Sequence, residues 1–163
     1  MKIHRLHVSH KLPIGIGEAW SFFSTPANLN RITPADMHFE ILSGADEATY
    51  AGQIITYRLR PLFNMPMNWV TEITQCVEGK YFVDEQRFGP YRFWHHLHRF
   101  TPVEGGVLIE DELYYALPFG PIGELMGALF LHRRIRDIFV YREKVLNELF
   151  SGSAGDPQPA PGT

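Results

Sequence analysis

A single cysteine, Cys76, stands in 163 residues. One thiol excludes an internal disulfide and any metal centre built on several thiolates. Long apolar runs are missing too. The longest, Leu117 to Leu131, is interrupted by Pro118, Pro121 and Glu124, and is too short and broken to cross a bilayer. The first eleven residues are polar and include His4, His7 and His10, where a signal peptide needs an apolar stretch. The expected compartment is therefore the cytoplasm. There is no excess of basic charge: the formal net charge is −3, so no whole-molecule field draws in a phosphate backbone, and nucleic acid is not an expected partner. Nucleophile elbows of the Gly-x-Ser-x-Gly kind and glycine-rich phosphate loops are absent, and nothing beside Cys76 in the sequence activates it.

What is present points to one folded domain. Hydrophobic residues make up 45% and charged residues 20%, a balance that buries a core. The 12 Phe, 7 Tyr and 3 Trp suit either that core or the walls of an apolar pocket. Lys2 to Leu12 alternates as a strand does, until Pro13, Gly15 and Gly17 break it. Glu18 to Ser24 reads as a short helix, and Pro26 opens a second that ends near Ile32 and Thr33-Pro34. Strand-like segments follow at Met37–Ser43, Gly52–Arg60, Met67–Val77, Lys80–Phe88, Arg92–Thr101 and Val107–Leu117. Glu78-Gly79, Gly89-Pro90 and Glu104-Gly105-Gly106 are hairpin turns, so the strands form an antiparallel meander. A helix from Ile122 to about Phe150 closes the domain, which spans residues 1–150. The remainder, 151–163, has no apolar anchor and is expected to be a disordered tail.

Four stretches carry a family resemblance: PIGIGEAWSFFSTPANLNRITP, KYFVDEQRFGPYRFWHHLHRF, GGVLIEDELYYALPFGP and LFLHRRIRDIFVYREKVL. Together with the order of elements they resemble the helix-grip superfamily of START and birch-pollen-allergen proteins (SRPBCC), in its bacterial branch related to polyketide cyclases and coenzyme Q chaperones. The resemblance implies an α+β fold: a curved antiparallel sheet of about seven strands wrapped around a long C-terminal helix, with two short helices after the first strand. It also implies a cavity between sheet and helix. Members bind lipids, sterols, quinones or polyketides, and some are enzymes, so the fold does not choose among activities.

Turn lengths fix a register. A two-residue loop at Glu78-Gly79 sets Ile73 opposite Asp84, Thr71 opposite Gln86 and Trp69 opposite Phe88. A three-residue loop at Gly89–Tyr91 sets Asp84 opposite His96 and Gln86 opposite Trp94. The last hairpin sets His98 opposite Asp111 and Phe100 opposite Ile109. One face then collects Trp69, Ile73, Phe82, Trp94, Phe100, Ile109, Leu113 and Tyr115, and this apolar face must look toward the helix. The same face carries Asp84, Gln86, His96, His98 and Asp111, a polar band in an otherwise apolar pocket. Leu125 and Leu129 of the helix are expected to cover a ligand from the other side, in a cavity of at least roughly 300 Å³.

His96 and His98 have the spacing of two zinc ligands on one strand, with Asp84 or Asp111 as a third. A hydrogen-bonded His–Asp network is the plainer reading, so neither metal nor other cofactor is expected. The same pairs would serve a cyclase as general acid and base. Arg133, Arg134 and Arg136 read as a solvated helix face with Asp137. Gly123 and Gly127 leave room either for a ligand or for close packing. The leading expectation is non-catalytic binding of a hydrophobic or amphipathic small molecule. An aromatase/cyclase-type enzyme is the alternative, and a co-chaperone-like interaction module is the third reading. A ligand-free filled core with an exposed apolar patch would favour that third reading.

Overall fold

The computed structural model describes residues 2–60, 65–118 and 120–151, the stretch 120–129 by backbone alone. The side chains of Gly123, Leu125, Gly127 and Leu129, and the tail beyond Ser151, lie outside the described residues. Seven strands form one antiparallel sheet: β1 (His4–Leu12), β2 (Glu40–Ser43), β3 (Ile54–Leu59), β4 (Met67–Val77), β5 (Tyr81–Phe88), β6 (Phe93–Val103) and β7 (Gly106–Ala116). Their order is β1-β7-β6-β5-β4-β3-β2, a meander whose last strand returns to pair with the first. Helix α1 (Ile16–Phe23) and two 3-10 turns (Pro26–Ile32 and Ala35–Met37) link β1 to β2. The long helix α2 (Gly120–Phe150) follows β7. This is the expected α+β arrangement. Several boundaries shift by about two residues, and the strand expected from Met37 begins only at Glu40, because Pro34 starts a tight turn over Ala35–Met37 that His38 ends in the left-handed region at φ 44°.

Alternation builds the sheet's inner face. Along β7, Val107, Ile109, Asp111, Leu113 and Tyr115 are buried while Leu108, Glu110, Glu112 and Tyr114 between them are half-buried. Helix α2 answers with Ile135, Phe139, Leu146 and Phe150, all buried, at helical spacing. These residues form two apolar clusters. One gathers Leu12, Phe22, Phe82, Phe100, Ile109, Leu146 and Phe150 near α1. The other gathers Leu113, Tyr115, Leu117, Ile135 and Phe139. Between them a polar band crosses the strands.

The register contains two departures that cancel. The β4–β5 loop is three residues long, with Val77 opposite Tyr81, and Gly79 supplies its left-handed φ of 68°. A bulge at Thr74 then shifts the pairing back, so Ile73 still faces Asp84 and Thr71 faces Gln86. A second shift sets Val70, and not Trp69, opposite Phe88. The pairs Asp84–His96, His98–Asp111 and Phe100–Ile109 occur as the turn lengths imply. Gln86 and Trp94 do not pair, since the β5–β6 ladder ends at Glu85–His95.

Candidate functional site

A cavity of about 190 Å³ lies between the sheet, α2 and the segment Phe22–Phe39. It is smaller than the roughly 300 Å³ expected, because bulky rings fill the space between sheet and helix. Trp69 and Trp94 meet edge-to-face at 5.1 Å, and Tyr91 packs on both. Trp69, Ile73, Phe82, Asp84, Trp94, His96 and His98 line the cavity. Asp111 does not. It is 2% exposed and stands behind the histidines, away from the cavity. Phe100, Leu113 and Tyr115 are spent on the apolar clusters. Gln86 is a turn buckle: its amide donates to Tyr91 O at 2.6 Å and its carbonyl accepts from Tyr91 N at 3.2 Å. That use of both ends of the amide is why it does not sit beside Trp94 in the ladder.

The band is a tetrad of two imidazoles and two carboxylates. His96 places Nδ1 3.2 Å from Asp84 Oδ2 and Nε2 3.0 Å from Asp111 Oδ1. His98 places Nε2 2.8 Å from Asp84 Oδ2. Its Nδ1 lies 2.8 Å from Asp111 Oδ1 but is not aligned for a hydrogen bond. The remaining Asp84 oxygen, Oδ1, accepts from Trp94 Nε1 at 3.1 Å. The two rings lie 3.8 Å apart, with Phe82 stacked on His98 at 4.3 Å and Phe139 edge-on to His96 at 5.6 Å. Rotamers wedged in this way hold the four groups in place.

Burial opposes every charge here, yet the partners win. Desolvation alone would lower the pKa of His96, but Asp84 and Asp111 raise it to about 9. Desolvation alone would raise both carboxyls, but the imidazoles hold Asp84 and Asp111 below the usual carboxylate range. His96 is thus a charged donor between two carboxylates in the ligand-free protein.

Several residues of this region escaped the sequence reading. Arg142 Nη1 comes within 3.8 Å of Asp111 Oδ1, its guanidinium 5.1 Å from the Phe139 ring centre. Its position was legible: the spacing Ile135, Phe139, Arg142, Leu146 is one helix stripe. Arg134 is not on a solvated face. It borders the cavity and pairs with Asp36 at 2.7 Å, bridging α2 to the 3-10 turn, while Arg133 pairs with Asp137 at 3.9 Å as expected. His10 extends the band onto β1. It is 9% exposed, both ring nitrogens lack a hydrogen-bond partner, and burial lowers its pKa. Strand alternation from Leu6 through Val8 carries that signal. Tyr57 and Tyr91, their hydroxyl pKa raised by burial, complete the wall.

The comparisons with solved structures bear on the fold. Protein TTHA0849 of Thermus thermophilus superposes with a TM-score of 0.70 at 12% identity, over 93% of this chain and 100% of that one. Ginseng major latex-like protein 151 from Panax ginseng gives 0.64 at 12% identity, over 91% and 97%. Ara h 8.0201 gives 0.62 at 10% identity, over 90% and 99%. The chain has the helix-grip, Bet v 1-like fold. No family model matches the chain, and no curated protein sequence matches it. In this helix-grip protein no helix among the described residues is long and apolar enough to cross a membrane.

Proposed function

We propose that the protein binds a small amphipathic molecule in the cavity, its polar end against Asp84, His96 and His98 and its rings or chain against the aromatic wall. The observation that carries this reading is the coincidence of two things: an aromatic-lined cavity and a buried polar tetrad with one side open to it. Ligand pockets combine a mostly apolar lining with a few placed polar groups in this way. A dry cavity of about 150 Å³ takes a benzene, so the 190 Å³ here suits a compact one- or two-ring ligand with an oxygen at one end. A lipid, quinone tail or polyketide chain needs the walls to move. Both nitrogens of His96 are engaged by Asp84 and Asp111, which leaves neither to act as a base in cyclase chemistry. The aromatic-lined cavity also weighs against the co-chaperone reading, which calls for a filled core.

Native mass spectrometry of the purified protein should reveal a co-purifying small molecule. Quenching of Trp69 and Trp94 by 2-naphthol should saturate at one equivalent, and Ile138→Trp, which fills the cavity from α2, should abolish it. If wild-type protein carries no small molecule and 2-naphthol gives no saturable signal, the binding reading fails.

A further inference from the structure

The tetrad is not symmetric about the two imidazoles. Its Asp84 side faces the cavity, and its Asp111 side faces packed protein. On the cavity side three donor atoms converge: His96 Nδ1 lies 3.2 Å and His98 Nε2 lies 2.8 Å from Asp84 Oδ2. Those two residues and Asp84 together offer ligand atoms within 4.8 Å of one another. Donors around an ion about 2.0–2.1 Å away stand roughly 2.9–3.4 Å from each other, whether the angles are square or tetrahedral. The two separations from the carboxylate oxygen are close to that range, and the two nitrogens lie within 4.8 Å of each other. Two histidines and one carboxylate on one side of an ion, with its remaining positions open, form a recurrent site for divalent first-row metals.

The far side supplies what such ligands need. A metal-bound imidazole usually gives its other N–H to a carboxylate, which fixes the tautomer and raises ligand basicity. His96 Nε2 already lies 3.0 Å from Asp111 Oδ1. His98 Nδ1 lies 2.8 Å from the same oxygen, buried and not aligned for a hydrogen bond in this structure. One carboxylate therefore stands within reach of both rings. Asp84 is oriented in turn by Trp94 Nε1, which leaves Oδ2 for the ion. Phe82 and Phe139 hold the ring planes.

We propose that Asp84, His96 and His98 form a divalent transition-metal site, with Asp111 and Trp94 as its outer shell and its open positions directed into the cavity. The ion displaces the protons that the imidazoles share with Asp84. In the sequence either aspartate was an equal third ligand and no metal was expected. Only the placement of Asp84 in front and Asp111 behind distinguishes ligand from support. A ligand's polar oxygen would then meet the ion directly, but metal binding itself does not depend on the ligand reading.

The test uses metal alone, on full-length protein dialysed against a chelator. One equivalent of Co(II) should bind with a visible d–d band, and Zn(II) should compete it off. Asp84→Asn and His98→Gln should weaken Co(II) binding at least about 100-fold. Asp111→Asn should keep the band and weaken binding about 10–100-fold, as loss of an outer-shell carboxylate does. His7→Gln, at a half-exposed histidine on the other face of β1, should change nothing. A measurement on the wild type alone guards against misfolded variants: in proton spectra of the Co(II) form, two paramagnetically shifted ring N–H signals should resist exchange, one from His96 and one from His98. Absence of stoichiometric binding by the wild type, unaltered binding by Asp84→Asn and His98→Gln, or absence of those two signals would overturn the proposal.

Discussion

Urea unfolding across pH, in chelator and in a Cys76→Ala background, should find the metal-free protein most stable near pH 6.5. Two buried histidines set opposite flanks. His96 is raised from 6.5 to about 9, so its contribution is full below pH 6.5 and is lost as pH rises through about 9. At about 1.4 kcal/mol per unit, that flank amounts to roughly 3 kcal/mol. His10 has the opposite sign. Burial lowers its folded pKa, so the unfolded chain takes up the proton first and stability falls as pH drops below 6.5. Asp84 and Asp111 are depressed, so their contribution is present above the unfolded carboxylate value near 3.9 and fades only below it. Tyr57 and Tyr91 enter only above about pH 10. Replacing Cys76 removes a thiol whose raised pKa would add to the alkaline flank. Asp111→Asn then provides the decisive variant. It breaks a buried pair, which should cost about 3–5 kcal/mol at pH 6.5, and it removes one of the two carboxylates that hold the His96 proton, so the alkaline flank should shrink. A parent protein with no decline between pH 6.5 and 9, or an Asp111→Asn variant that keeps the full decline, would refute the electrostatic account.

Three further outcomes follow from packing. His10→Leu should stabilise the fold by about 1 kcal/mol in urea and flatten the acid flank, because it removes a buried ring whose nitrogens have no hydrogen-bond partner. Leu113→Ala, at a fully buried site between β7 and α2, should cost about 2–5 kcal/mol and lower Tm; a change under about 1 kcal/mol would mean the cluster collapses freely. Gly44→Ala should destabilise by more than about 1 kcal/mol, since a Cβ there would clash with the Ile54 carbonyl and φ is +81°.

The band shows how far a sequence reaches. Period-two alternation and turn residues put Asp84, His96, His98 and Asp111 on one face, and the structure brings the four together. The pairs Ile73–Asp84 and Thr71–Gln86 survived a wrong loop length at Glu78-Gly79 only because the bulge at Thr74 restored that register. Bulges depend on how a strand bends against its neighbours, so local residues do not announce them. Arg142 and His10 lie on the inward stripe of their elements by periodicity, but a polar side chain there carries no hydropathy signal of its burial. Gln86 was legible as a face position but not in its role, since the same amide can serve a ladder neighbour or a turn.

The sequence by itself determined the order of elements, the meander and which side chains share the inner face, because turn chemistry and alternation are properties of neighbouring residues. Tertiary structure alone decided the size of the cavity, the turn of Arg134 toward Asp36, and the difference between Asp84 in front and Asp111 behind. Those depend on where α2 rests against the sheet and how the rings of Trp69, Tyr91, Trp94 and Phe139 divide the space between them. Packing distances between elements far apart in the chain set that division, and no local pattern encodes them.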